Sequence, residues 1–246
     1  MSYQDTFQRY EMKYLLTKQQ KARLLWAMQP HMALDQYGRT TIQNIYYDTP
    51  DFALIRRSLE KPVYKEKLRL RSYGTASKDS TVFLELKKKY KGIVYKRRTD
   101  APCFRAEAYL KSGNPLAKQD QITAEIDYFR KFYKGLRPAM VISYEREAFY
   151  NKDGSDLRIT LDENILWREE ELTLRADAYG NALLEEGQTL MEIKVGGAMP
   201  LWLAEKLSEL KIYQTSFSKY GNAYLRKMEQ EQRIKDRKDE IYEQIV

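Results

Sequence analysis

Residues 63–73 read VYKEKLRLRSY. As a strand, this segment puts Lys65, Lys67, Arg69 and Arg71 on one face and Tyr64, Glu66, Leu68 and Leu70 on the other. The pattern recurs along the chain. In FQRYEMKYLL, Arg9, Glu11 and Lys13 oppose Tyr10, Met12 and Tyr14. In TVFLELKKKY, Glu85, Lys87 and Lys89 oppose Val82, Leu84 and Leu86. In SDLRITLD, Arg158, Thr160 and Asp162 oppose Leu157, Ile159 and Leu161. In LMEIKV, Glu192 and Lys194 oppose Met191, Ile193 and Val195. A chain built from such strands must bury every apolar face in one layer, and the charged faces then share the opposite surface. Periodicity alone leaves two arrangements: an open sheet with its charged face in water, or a barrel with its charged face lining the bore.

The remaining segments fit either arrangement. TIQNIYYD, IVYKRR and RPAMVISYEREAFY read as strands, the last with a slip in its apolar period that suggests a bulge. Lys91-Gly92 is a hairpin signal. KQQKARLLWAMQP, a short segment after DTPDF, two stretches within 102–134 split near SGNP, PLWLAEKLSEL and SFSKYGNAYLRKM read as helices. Residues 1–228 are expected to form one domain, followed by a charged helix or frayed tail over 229–246.

Charge favours an anionic ligand. The chain carries a net +8, and residues 63–98 hold 12 cations against 3 acids, a net +9. The charged faces contain few Ser, Asn or Gln. They are rich in Arg, whose planar fork matches phosphate oxygens. Single acids among the cations suit an anion chelated to a divalent metal. The 20 tyrosines read mostly as strand and core residues, and those of the first and third strands lie on the faces opposite the cations, against a nucleic-acid platform on which aromatics and cations share a surface.

Other chemistries lack their residues. One cysteine, Cys103, and one histidine, His31, exclude an internal disulfide, a cysteine-cluster metal site and the multi-histidine zinc sites. No P-loop, GxGxxG or GxSxG motif occurs. No apolar run approaches the ~18 residues of a membrane helix, and MSYQDTFQRY has no apolar signal region, so a cytoplasmic protein without direct membrane insertion is expected.

The segments FQRYEMKYLL, NIYYDTPDF, KLRLRSYG, VFLELKKK, YKRR, YEREAF, LRITLD, LMEIK and FSKYGNAY together resemble the VTC-type polyphosphate polymerase domain of the triphosphate tunnel metalloenzyme (CYTH-like) superfamily. The resemblance spans residues 7–224. It implies an α+β fold in which a closed antiparallel barrel forms a tunnel, with helices packed outside. It implies catalytic roles in phosphoryl transfer for Arg69, Arg71, Arg146 and Arg158. Phosphate contacts would come from Lys13, Lys87, Lys96, Lys194 and Lys219, with Arg9, Lys67, Tyr144 and Ser218 as additions. Mn²⁺ or Mg²⁺ would sit on Glu192, with Glu11 and then Glu85 as further carboxylates. The implied substrates are ATP and inorganic polyphosphate or triphosphate. Because the chain shows no membrane channel, export of a polymer would need a membrane-protein partner.

One departure matters. Hydrolytic members of that superfamily carry ExExK in the first strand, whereas this chain has Arg9-x-Glu11-x-Lys13, which suits the polymerase branch better than a two-metal hydrolase. The expected activity is therefore transfer of the ATP γ-phosphate onto a polyphosphate chain. The alternatives are a triphosphatase or polyphosphatase of the same fold, a non-catalytic module that binds polyphosphate or inositol polyphosphate, and a basic RNA-binding protein.

Overall fold

A computed structural model describes residues 10–91 and 93–245, with side chains to residue 240. In chain order its elements are β1 (Tyr10–Leu16), α1 (Lys18–Met28), β2 (Met32–Leu34), β3 (Thr40–Asp48), α2 (Ala53–Leu59), β4 (Tyr64–Tyr73), β5 (Thr81–Tyr90), β6 (Ile93–Pro102), α3 (Cys103–Ser112), α4 (Gln121–Phe132), β7 (Arg137–Asn151), β8 (Arg158–Arg168), β9 (Asn181–Ala182), β10 (Thr189–Val195), α5 (Leu201–Glu209), β11 (Gln214–Thr215) and α6 (Lys219–Ile245). Local chemistry sets several boundaries. Thr17 and Gln20 form a capping box at the start of α1, and Asp120 and Thr123 do the same for α4, satisfying backbone N–H groups that the first turn leaves free. Between β5 and β6, Lys91 takes a positive φ of 47°, the conformation a tight hairpin needs.

All described strands join one antiparallel sheet in the order β11-β1-β10-β8-β7-β3-β4-β5-β6, with β2 added to β7 and β9 to β8. The bulge expected in β7 is present: its register shifts against β8 between Ser143 and Glu145, and against β3 between Tyr46 and Tyr47.

The alternating apolar faces pack under helices. Leu68 and Leu70 of β4 and Leu84 and Leu86 of β5 are fully buried against a cluster that includes Ala106 and Tyr109 of α3 and Ile126 and Phe129 of α4. Burying each such leucine contributes about 1.5–3 kcal/mol. Tyr14, Ile159, Leu161, Met191 and Ile193 pack likewise with Leu24 and Met28 of α1 and Leu203 and Leu207 of α5. A third cluster lies on the other side of the sheet. Tyr46, Met140, Ile142 and Leu190 there meet Ile55 of α2 and Tyr220, Ala223 and Tyr224 of α6. The start of α6 therefore sits against the face that bears the cations.

The expectation of a closed barrel needs correction. Among the described residues, no hydrogen-bonded ladder joins β1 or β11 to β6. The free edge of β1 is already occupied by β11, through Lys13 opposite Thr215 and Tyr14 opposite Gln214. The sheet curls far enough for side chains to bridge the gap. Lys87 of β5 reaches Glu11 of β1 at 2.9 Å, and Lys13 of β1 donates to the Phe217 carbonyl before α6 at 2.7 Å. The charged face is concave, with a seam closed by side chains rather than by backbone.

No helix among the described residues is long and apolar enough to cross a membrane.

Candidate functional site

Strand register brings the charged faces together. Lys67 stands opposite Lys87 and Arg69 opposite Glu85, while on the next strand Lys96 and Arg98 stand opposite Lys87 and Glu85. Across the sheet, Lys13 faces Glu192 and Glu11 faces Lys194. Glu192 and Lys194 in turn face Thr160 and Arg158, and Arg146 faces Asp162. Directly opposed residues share a sheet face, so these side chains line one concave surface. Ser218 and Lys219 enter it from the start of α6, where the Lys67 ammonium donates to Ser218 Oγ at 3.1 Å.

Two buried acids organise most of the arginines. Glu85, 1% exposed, accepts from Arg69 Nε at 2.7 Å and forms ion pairs with Arg69 Nη2 at 2.6 Å, Lys96 at 2.7 Å, Arg98 at 3.5 Å and Arg71 at 3.8 Å. Burial alone would raise its pKa, but Arg69, Arg71 and Lys96 outweigh burial and hold it far below the usual carboxylate range. Asp162, fully buried, accepts two bonds from Arg146 at 2.6 and 2.7 Å and one from Lys219. Burial opposes its ionisation, yet Lys219 and Arg146 bring it down to about 2.

The remaining cations are under-compensated. Lys67 falls to about 7, first through burial and then through Lys65, Lys13, Lys87 and Arg69 around it. Lys13 falls to about 8 through burial, with Lys219 and Lys87 adding to the effect and Glu192 and Glu11 opposing it. Burial also takes Lys96 to about 8 against the pull of Glu85. Tyr144 reports the same field. Burial would raise its pKa, but Arg71, Arg146 and Lys219 lower it to about 7; Arg71 donates to its hydroxyl at 3.1 Å. A surface with this excess of partly desolvated positive charge is suited to an anion with several charges.

Of the residues singled out from the sequence, Lys13, Lys67, Arg69, Arg71, Lys87, Lys96, Tyr144, Arg146, Arg158, Glu192, Lys194, Ser218, Lys219 and Glu11 all belong to this surface. Arg9 lies outside the described residues. Their states differ. Arg69 and Arg146 are committed to Glu85 and Asp162, whereas Arg158, exposed at the first position of β8, has no ion pair or hydrogen bond among the described residues. Sequence reasoning missed Asp162 as an anchor, although LRITLD places it on the Arg158 face. It also missed Asn44, which accepts from Arg71 at 2.8 Å, and Tyr46, which accepts from Arg69 at 3.2 Å. Arg98, on the same strand as Lys96, is a structural partner of Glu85 and lies 3.5 Å over the Phe83 ring.

The acids fit a metal in one way only. No three His, Cys, Asp or Glu side chains cluster as a metal site among the described residues. Glu85 is consumed by four cations, and Glu11 pairs with Lys87. Glu192 is less engaged, with Lys194 at 3.5 Å. Its burial would favour the neutral acid, but Lys194, Lys13, Lys87 and Lys219 keep it ionised well below the usual range. One carboxylate among lysines does not hold a free divalent ion. It does suit an ion that arrives with phosphate oxygens supplying the rest of its coordination, the usual mode for Mg²⁺.

Solved structures share this fold. A candidate adenylate cyclase from Bacillus halodurans superposes with a TM-score of 0.54 at 16% identity, over 86% of this chain and 95% of that one. A Hippeastrum protein, described as a candidate adenylyl cyclase with dominant triphosphatase activity, gives 0.53 at 17% identity, over 85% and 92%. No curated protein matches in sequence. The VTC domain profile matches residues 8–227, nearly the whole chain, and the protein belongs to the VTC domain family.

Proposed function

We propose that the concave surface binds a chain of phosphates and that the protein is a nucleotide-dependent polyphosphate polymerase. In this reading the γ-phosphoryl group of ATP is transferred to the end of an inorganic polyphosphate chain. The observation that carries the reading is the gathering of cations from β1, β4, β5, β6, β7, β8, β10 and α6 on one concave face that also holds the loosely paired Glu192, in a member of the VTC family.

Phosphoryl transfer passes through a loose transition state, so positioning and charge stabilisation carry most of the catalysis. Arg69, Arg71 and Arg146, held in place by Glu85, Asn44 and Asp162, present fixed guanidinium groups that need not reorganise during the reaction. Lys13, Lys67, Lys87 and Lys194 supply further positive charge along the chain. At an effective dielectric of 20, a cation ~4 Å from a phosphate charge contributes about 4 kcal/mol before desolvation. Mg²⁺ or Mn²⁺, when bound, would neutralise charge on the phosphate groups, and Glu192 would be its protein ligand.

Hydrolysis is the second reading, because the Hippeastrum protein of the same fold has triphosphatase activity. Incubation with ATP labelled at the γ-phosphate and Mn²⁺, followed by separation of polymer from free phosphate, decides between them. Label in a chain that an exopolyphosphatase degrades supports the polymerase. Label only in free phosphate supports the hydrolase, and intact ATP refutes the polymerase.

A further inference from the structure

We propose that the surface cavity beside the Arg158 end of the concave face binds the nucleoside of the phosphoryl donor, with the stacked pair His31 and Trp202 as its aromatic wall. The inference rests on the triphosphate reading of the concave face and adds a second subsite to it.

The cavity has a volume of about 510 Å³ and is lined by Pro30, His31, Asp156, Leu157, Val195 and Trp202, among others. That volume falls within the roughly 300–1,000 Å³ of small-molecule sites. Its position follows from register. Leu157 and Val195 point to the helix-covered side of the sheet, and they immediately adjoin Arg158 and Lys194, which face each other on the concave side. The ends of β8 and β10 are thus a shared rim, with the cavity on one side and Arg158, which has no partner among the described residues, on the other. A triphosphate whose terminal phosphates lie among Lys13, Lys67 and Lys87 runs toward Arg158, and the attached nucleoside leaves over this rim.

The chemistry of the two sides is complementary. His31 and Trp202 stack with ring centroids 4.2 Å apart and 8° between planes, so each covers one face of the other and a base can stack on an outer face of the pair. The backbone around it is tied down. Lys152 N–H donates to the His31 carbonyl at 2.9 Å, and the Lys152 ammonium to the Gln29 carbonyl at 2.7 Å. Asp153 and Asp156 also line the cavity, as does Lys152. Carboxylates repel phosphate but accept hydrogen bonds from ribose hydroxyls or an exocyclic amine. With the Lys152 ammonium held at the Gln29 carbonyl, the cavity presents two carboxylates and an aromatic pair where the concave face is basic. That division matches the two ends of a nucleoside triphosphate and does not match inorganic polyphosphate.

The test compares calorimetric binding of ATP and of tripolyphosphate by the wild type, Trp202→Ala and Ala198→Trp. The last variant adds bulk at an exposed lining residue, away from the core. Loss of the stacking ring in Trp202→Ala and obstruction of the cavity in Ala198→Trp should each weaken ATP about tenfold, with tripolyphosphate changed by less than about twofold. Unaltered ATP affinity in both variants overturns the nucleoside site and leaves the triphosphate reading intact, as does equal weakening of both ligands in Ala198→Trp. If Trp202→Ala fails to fold, Ala198→Trp decides alone. A wild type that binds neither ligand overturns the triphosphate reading itself, and this site with it.

Discussion

Replacing Asp162 by alanine should be the most damaging single change on the concave face. The carboxylate is fully buried, and Arg146 and Lys219, whose side chains are only 15% and 13% exposed, both depend on it. Its removal leaves a guanidinium and an ammonium side by side against the Tyr144 ring, at 5.1 and 4.4 Å from its centroid. Removing one partner of a buried ion pair costs about 3–5 kcal/mol. In a protein of this size each kcal/mol lowers Tm by roughly 2–4 °C, so a fall of about 6–20 °C is expected in melts followed by circular dichroism at pH 7. Tripolyphosphate should then recover part of the loss, because the released cations gain an anionic partner and binding stabilises by about 2.7 kcal/mol at one hundred times Kd. The sign of the pH effect also follows. The folded pKa of Asp162, about 2, lies below the unfolded value of ~3.9. Its contribution is therefore present above pH 4 and is lost as pH falls toward 2, so wild type and variant should converge in acid. A fall of less than about 3 °C at pH 7 would contradict the magnitudes used here, and failure of tripolyphosphate to stabilise the variant would contradict the placement of an anion beside Arg146 and Lys219.

Three further outcomes are expected. Glu192→Gln should abolish Mn²⁺-dependent turnover while preserving or tightening tripolyphosphate binding in chelator; unchanged turnover would place the metal elsewhere. Arg158→Ala should weaken tripolyphosphate binding without lowering Tm, because Arg158 is exposed and carries no described partner; a large loss of stability would show that it is structural. Lys67, Lys13 and Lys96, at about 7, 8 and 8, have folded values below the unfolded ~10.4. The folded protein thus binds fewer protons than the unfolded chain above pH 7, and stability should rise from pH 7 toward 10. Polyanion binding should return protons to these amines. Calorimetry in buffers of different ionisation enthalpy should therefore show proton uptake and an affinity that falls from pH 6 to 9; proton release would refute the assignment.

The legible part of the molecule was the part with one dry and one charged face. β1, β4, β5, β8 and β10 each alternate cleanly because helices cover one side and the concave surface holds the charges on the other. β3 resisted such reading. In TIQNIYYD the outward Ile45 and Tyr47 meet the α3/α4 cluster, while the inward Ile42 and Tyr46 meet α2 and α6, so both faces are buried and alternation vanishes. That is why Asn44 and Tyr46 went unnoticed as supports of Arg71 and Arg69. Alternation assigns a face but not a partner: Asp162 could be placed beside Arg158 in projection, whereas its bonds to Arg146 and Lys219 depend on β7 and α6. The seam was misjudged for a related reason. β11 is two residues long, too short for a pattern, yet it occupies the edge that closure would have used.

A structure of the protein crystallised with tripolyphosphate and Mn²⁺ tests the central claim most directly. Phosphate oxygens are expected within hydrogen-bond reach of Lys13, Lys67, Lys87, Arg158, Lys194 and Lys219 on the concave face, with the metal between the anion and Glu192. A concave face left empty at saturating ligand, or an anion bound on the helix-covered side of the sheet, would contradict it.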